Sequence, residues 1–189
     1  MVAMGQHPSG HLHDQACAAA HGDLPLPADH RRLVLVFVSP VAKEMAVLAD
    51  RLGWPVAVID PDRARLDDAL PGTLSYTSVA DAALDVGCDI VVCDHDRPEL
   101  GEVLAAALAG PSRWIGVMGS LRHTAPHLAA LRERGVADAV ISRVHRPIGL
   151  DIGSKMPAEI ALSTMAGLLA DRNGKTGGAF PASTLPGMP

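Results

Sequence analysis

The sequence predicts an α/β protein built on a doubly wound, mostly parallel sheet with helices on both faces. Short apolar runs alternate with amphipathic stretches of helical period, the signature of βαβ units. The runs are apolar on consecutive residues, as in LVLVFV at 33–38, which is how strands buried on both faces read. With 189 residues and 48% hydrophobic composition, the chain can bury one sizeable core and leaves little room for a second.

Leu33 to Val38 reads as the first strand. Val41, Met45, Leu48, Ala49 and Leu52 fall at helical spacing, and Gly53 ends that helix. Val56 to Ile59 makes the second strand, which ends at Asp60. A short strand at 74–77 and a helix over 79–86 lead to the apolar run 90–93. A helix over 98–109, a strand over 114–118 and a helix over 121–134 follow. A last strand is expected at 140–144, and a helix over 157–171 closes the domain, which spans 31–173. Residues 1–30 lack apolar periodicity and read as a flexible, His-rich leader, and 174–189 read as a flexible tail.

Sixteen Lys and Arg against 21 Asp and Glu leave a net charge of −5, so no general attraction to nucleic acid or anionic lipid is expected. No apolar run reaches the roughly 18 residues of a membrane span, and the first residues lack the pattern of a signal peptide. A cytoplasmic location is expected. Cys17, Cys88 and Cys93 have no zinc-site spacing and read as reduced thiols, the latter two in the core.

Three strand-end loops carry the candidate site. In a dinucleotide fold the first turn is glycine-rich, so that backbone can approach the pyrophosphate at a helix N-terminus. Here it reads Phe37, Val38, Ser39, Pro40, Val41 and holds no glycine. Ser39 can cap the helix and Pro40 suits its first position. Asp60 stands about twenty residues on, where a ribose-binding acid would, and where a plain turn aspartate before Pro61 would also stand. The second loop offers Gly119 for a tight turn, Ser120 as a cap, and Arg122 and His123 in the first helical turn, a place suited to an anion. The third, from His145 to Lys155, holds Gly149 and Gly153, which would let backbone turn close to a planar ligand. Its Asp151 could accept hydrogen bonds from that ligand, or only cap loop amides. His95 and Asp96, at the end of the 90–93 run, are expected to face these loops across one cleft.

WIGVMGS followed by HLAALRERG, then RVHRPIGLDIG and PAEIALS, closely resembles the C-terminal Rossmann-like domain of XdhC/CoxI proteins, from about Arg32 to Asn173. The strand VVCDHD is similar to the family's apolar strand ending in Thr-His. The resemblance implies a chaperone that binds molybdenum cofactor (molybdopterin), assists its terminal sulfuration, and hands it to a xanthine-dehydrogenase-like or CO-dehydrogenase-like molybdenum hydroxylase. That enzyme is the implied partner, and a homodimer is plausible on the same ground. The family's Gly-Ala-Gly-His turn is replaced here by Val38, Ser39 and Pro40, and its Gly-Ser-Arg-Arg-Lys by Gly119 to His123. Met156 stands at a helix cap usually filled by Thr, a change expected to cost about 1 kcal/mol. Many members also carry an N-terminal domain with a cysteine implicated in cofactor binding, so a separate chain is expected to supply that domain.

Three other readings compete with this one. An NAD(P)-dependent oxidoreductase is argued against by the missing glycines and by the lack of a catalytic constellation. The histidines of the leader, with Asp14 and Cys17, could bind metal weakly, but a flexible segment supplies no cage, and no metal site is assigned. A Rossmann-fold protein that binds a partner and no cofactor stays open.

Overall fold

The computed structural model describes residues 31–67, 72–119, 125–153 and 155–179. Among them six strands form one sheet: β1 (Arg32–Val36), β2 (Val56–Ile59), β3 (Leu74–Tyr76), β4 (Cys88–Val92), β5 (Trp114–Val117) and β6 (Val144–His145). Their order is β3-β2-β1-β4-β5-β6, and every neighbouring pair is parallel. All carboxyl ends therefore lie along one edge, and the chain reverses its direction of winding between β1 and β4. That switch point is where folds of this order open a crevice for a ligand.

The helices are α1 (Pro40–Arg51), α2 (Arg63–Leu66), α3 (Leu100–Ala109), α4 (Pro126–Arg132), α5 (Asp138–Ile141) and α6 (Pro157–Arg172). Alternation within the strands splits the core in two. Val34, Val36, Ile90, Val92 and Val117 face α3, α4 and α5 through Leu104, Leu108, Leu131 and Ile141. Leu33, Leu35, Val91 and Trp114 face α1 and α6 through Met45, Ala49, Met165 and Leu168. Helices thus cover both faces, which is why Leu33 to Phe37 can all be apolar and fully buried. Each such side chain contributes roughly 1.5–3 kcal/mol by leaving water.

The amino edge is held by charge. Asp89, 2% exposed, accepts from Arg113 Nε at 2.7 Å and from Arg172 Nε at 2.6 Å. Arg113 also reaches Asp171 at 2.6 Å, and Arg172 donates to the Gly87 carbonyl at 2.7 Å. The clamp fastens the end of α6 to the starts of β4 and β5.

The local signals at α1 act as the sequence predicts: the Ser39 hydroxyl accepts the Ala42 N–H and Pro40 opens the helix. At α6 the cap is Met156, and the Glu159 carboxylate accepts the Lys155 and Met156 amides instead. Three expectations are corrected. The helix expected over 79–86 is a series of turns, because Ala83 adopts a left-handed φ of +45° and Asp85 turns back to accept the Gly87 N–H. The strand expected at 140–144 is mostly helical: Asp138 leads α5, whose Ile141 is buried, and only Val144 and His145 pair with β5. The first strand stops at Val36, since Phe37 leaves the extended region with φ +68°. Of the helix expected over 121–134, α4 is described, and residues 120–124 lie outside the described residues. The expected leader 1–30 lies outside them as well, with Cys17, and so does the tail from 180. Cys88 and Cys93 are buried free thiols.

Candidate functional site

The first turn follows β1 and faces the end of β2. Phe37 takes the positive φ that a glycine would normally supply, its amide donates to the Ile59 carbonyl at 2.8 Å, and its ring is fully buried. The strain of a left-handed aromatic residue, on the order of 1–2 kcal/mol, is offset by burying that ring. Above it lies the Arg97 guanidinium, 4.9 Å from the ring centroid.

Asp60 is fully buried beside this turn. Its Oδ2 accepts the Val38 N–H at 2.9 Å and Arg97 Nη1 at 3.3 Å. Oδ1 accepts the Asp62 N–H at 3.0 Å and Arg97 Nη2 at 3.2 Å. A carboxylate has about four acceptor positions, and these donors fill them all. Glu99 holds the other side of the guanidinium, with Nε to Oε2 at 3.2 Å and Nη2 to Oε1 at 3.3 Å, and its own carboxyl is held below the ordinary range by Arg97. Asp60 thus serves the chain's own arginine where a dinucleotide fold would present a ribose.

The end of β4 supplies Arg97 together with His95 and Asp96. His95 Nε2 lies 3.7 Å from Asp96 Oδ1, and the Asp96 amide donates to Asp94 Oδ1 at 3.0 Å. Cys93, at the start of this loop, has its thiol pushed up by burial and then by the charge of Asp94.

Beyond β5, Gly119 takes φ +153°, and a methyl group added to it would stand 2.6 Å from Nε and Nη2 of Arg146. The turn after β5 and the loop after β6 therefore meet in the structure. Ser120, Arg122 and His123 lie outside the described residues. His127, in the first turn of α4, is 4% exposed, and burial together with the Arg146 charge holds its imidazole below the ordinary value of 6.5. Its Nδ1 is buried without a hydrogen-bond partner.

The loop after β6 opens with His145, whose ring stacks on Trp114 at 5.0 Å, and with a cis peptide between Arg146 and Pro147. Gly149 (φ +85°) packs directly on Gly167 of α6; a side chain at Gly167 would meet the Gly149 Cα at 2.8 Å. The Ser163 hydroxyl donates to the Leu150 carbonyl at 2.6 Å, and the Leu150 amide returns to the Ser163 carbonyl at 3.2 Å. Asp151 and Gly153 are exposed, and among the described residues the Asp151 carboxylate takes part in no hydrogen bond or ion pair. The loop is thus shaped by its seat on α6 and not by Asp151.

A cavity of about 540 Å³ opens beside the first turn, lined by Val38, Ser39, Pro40, Lys43, Arg65 and Met156. It joins the starts of α1 and α6, whereas the sequence reading centred a cleft on Gly119, His95, Asp96 and the 145–155 loop. The structure brings Gly119 to Arg146, places His95 and Asp96 beside the partner of Asp60, and leaves Asp151 projecting. Sequence reasoning missed Arg97, His127 and Arg146. A lone arginine just past a strand, as in DHDRP and RVHRP, was the available signal.

No helix among the described residues is long and apolar enough to cross a membrane, and no cluster of three His, Cys, Asp or Glu there could hold a metal. The XdhC Rossmann domain family matches residues 33–168. A protein of Escherichia coli K12, uncharacterized protein YqeB, is 35% identical over 161 residues, covering 82% of this chain and 30% of its own length. A crystal structure from Bacillus halodurans, described as a xanthine dehydrogenase, shares the fold with a TM-score of 0.61 at 22% identity, over 76% of this chain and 45% of that one. The chain spans less than half the length of both. It belongs to the XdhC family, and the part matched is that family's Rossmann domain.

Proposed function

We propose that this chain is an accessory protein for a molybdenum hydroxylase of the xanthine-dehydrogenase or CO-dehydrogenase kind, handling molybdenum cofactor as cargo during sulfuration or insertion. The observation that carries the reading is the saturation of Asp60. A Rossmann domain whose ribose-binding acid is committed to Arg97, and whose first turn holds Phe37, is built for a task other than hydride transfer with NAD(P). The alternative task is the one that the resemblance to XdhC/CoxI proteins implies, and membership in the XdhC family supports it.

Two groups, one in the loop after β6 against the turn after β5 and one further along the same loop, support a phosphorylated pterin as the cargo. Arg146 over Gly119 offers a guanidinium to the phosphate, and the exposed Asp151 carboxylate offers acceptors to pterin amino and ring N–H groups. The cofactor's redox chemistry belongs to the enzyme that receives it; the role of this chain is to bind, orient and release. On this reading it works in the cytoplasm, as a homodimer or in complex with the enzyme it serves.

The test is co-expression of the full chain with a candidate molybdenum hydroxylase, reading the partner's molybdenum content and activity with and without this protein, alongside native mass spectrometry of the purified chain. Partner activation with a pterin mass on the chain supports the reading. Unchanged partner activity with no bound pterin overturns it, and unchanged pterin loading with a stable complex favours a partner-binding protein without cofactor.

A further inference from the structure

Val38, Ser39 and Pro40 replace the glycine-rich turn usual in the family, and Met156 replaces its capping threonine. All four positions line one cavity, of about 540 Å³, between the starts of α1 and α6. That volume falls among small-molecule sites, which span roughly 300–1,000 Å³. Val38, Pro40, Pro157, Ala158 and the Met156 thioether give the cavity apolar walls. Met156 is 61% exposed, although a large apolar side chain gains by leaving water. A flexible thioether at the lip of a cavity adapts to the shape of an apolar guest. Lys43, Arg65 and Glu44 also line it, so cations outnumber the single carboxylate there, in a chain whose net charge is −5. Arg65, in α2, pairs with Asp62 through Nε at 3.4 Å, and among the described residues its terminal nitrogens donate no hydrogen bond. A guanidinium with those N–H groups to offer matches two oxygens of a carboxylate, sulfonate or phosphate at once.

We propose that this cavity is a binding site for an amphipathic organic anion, with the apolar body against Val38, Pro40 and Met156 and the acidic group at Arg65. Pro40 and Pro157 each open a helix without an N–H, so an apolar body strands no donor there. The backbone of the first turn does not hold the anion, since the Val38 amide already donates to Asp60 and Pro40 has none. A dinucleotide is a poor guest for the same reason, because its pyrophosphate relies on amides at that turn. The site uses neither Arg146 nor Asp151, and it stands whether or not the chain handles a molybdenum cofactor.

The experiment is fluorescence titration of the full chain with anilinonaphthalene sulfonate, an aromatic anion, and with phenylnaphthylamine, the same ring body without the charge. Wild type should bind one sulfonate per chain and the neutral probe about tenfold more weakly. Arg65→Gln should weaken the sulfonate about tenfold, the loss of one charged hydrogen bond, and leave the neutral probe unchanged. Ala158 is exposed, so Ala158→Trp fills the cavity without disturbing the core; it should abolish binding of both probes. Met156→Thr should weaken both while keeping or raising the melting temperature, since threonine caps a helix. A wild type that binds neither probe overturns the site. Sulfonate binding unchanged in folded Ala158→Trp and in Met156→Thr also overturns it, because the probe then sits elsewhere. Equal affinity for the two probes, unchanged in Arg65→Gln, overturns the proposal in favour of an apolar face for a protein partner.

Discussion

Arg97 donates two hydrogen bonds to Asp60 across the switch point, at 3.3 and 3.2 Å, and fills the acceptor positions that the Val38 and Asp62 amides leave. The two residues stand 37 positions apart, one after β2 and the other after β4. Their pairing lets the fold keep a buried acid where dinucleotide folds place one, while taking it away from any ribose.

NAD and NADP are therefore expected to show no micromolar affinity in calorimetry, and tight binding of either would contradict the geometry. Arg97→Ala should not create a site, because it strips a fully buried carboxylate of its counter-charge. Breaking a buried pair in this way costs about 3–5 kcal/mol, to be read as a lower urea midpoint with an unchanged slope.

Asp89 predicts a second loss at the opposite edge. Asp89→Ala leaves Arg113 with Asp171 and Arg172 with the Gly87 carbonyl, so each arginine keeps one partner. The expected cost is near the lower end of the buried-pair range, about 3 kcal/mol. Activation of the partner molybdenum enzyme by the folded variant should not change, since the clamp lies at the amino ends of the strands. A variant as stable as wild type in urea would show that the clamp contributes little.

The strands were the most legible part of the chain, because burial on both faces writes a continuous apolar run into the sequence. Val56 to Ile59 matches β2 residue for residue. Periodicity misled where backbone conformation decided: Val79 and Ala82 are buried as a helix would bury them, yet Ala83 turns left-handed between them and β4. At the site, Asp60 and Gly119 could be picked out because each ends a strand. Arg97, His127 and Arg146 could not, since their meaning lies in partners set by strand order. Gly149 shows the same limit: a glycine in a shaped loop reads as room for a ligand, while here it meets Gly167 of the helix that follows.

His127 makes stability depend on pH, with a definite sign. Burial, and then the Arg146 charge, hold its folded-state imidazole below 6.5, the ordinary value. Above that pH both folded and unfolded chains carry it neutral and it contributes no slope. As pH falls below about 6.5, the unfolded chain binds the proton first, so stability is lost progressively. His127→Phe should flatten this part of the profile relative to wild type in urea melts at pH 5 and 7. Parallel profiles for the two proteins would show that the imidazole titrates normally.

Asp151 separates a ligand role from a structural one more cleanly than any other loop residue. The 145–153 segment is held by Gly149 against Gly167 and by the paired bonds of Leu150 and Ser163, none of which involves Asp151. Its carboxylate is exposed and caps no amide, so Asp151→Asn removes a charge without opening a cavity or stranding a donor. Substitutions of that kind stay within about 0.5 kcal/mol. The melting temperature of Asp151→Asn should therefore equal that of wild type. If the carboxylate accepts hydrogen bonds from a pterin, the amide offers one oxygen in place of two and adds donors that face other donors. Activation of the partner molybdenum enzyme should then fall while the fold is untouched. Full activation by a variant of unchanged stability would take Asp151 out of the site, and a large drop in melting temperature would show that the loop depends on it after all.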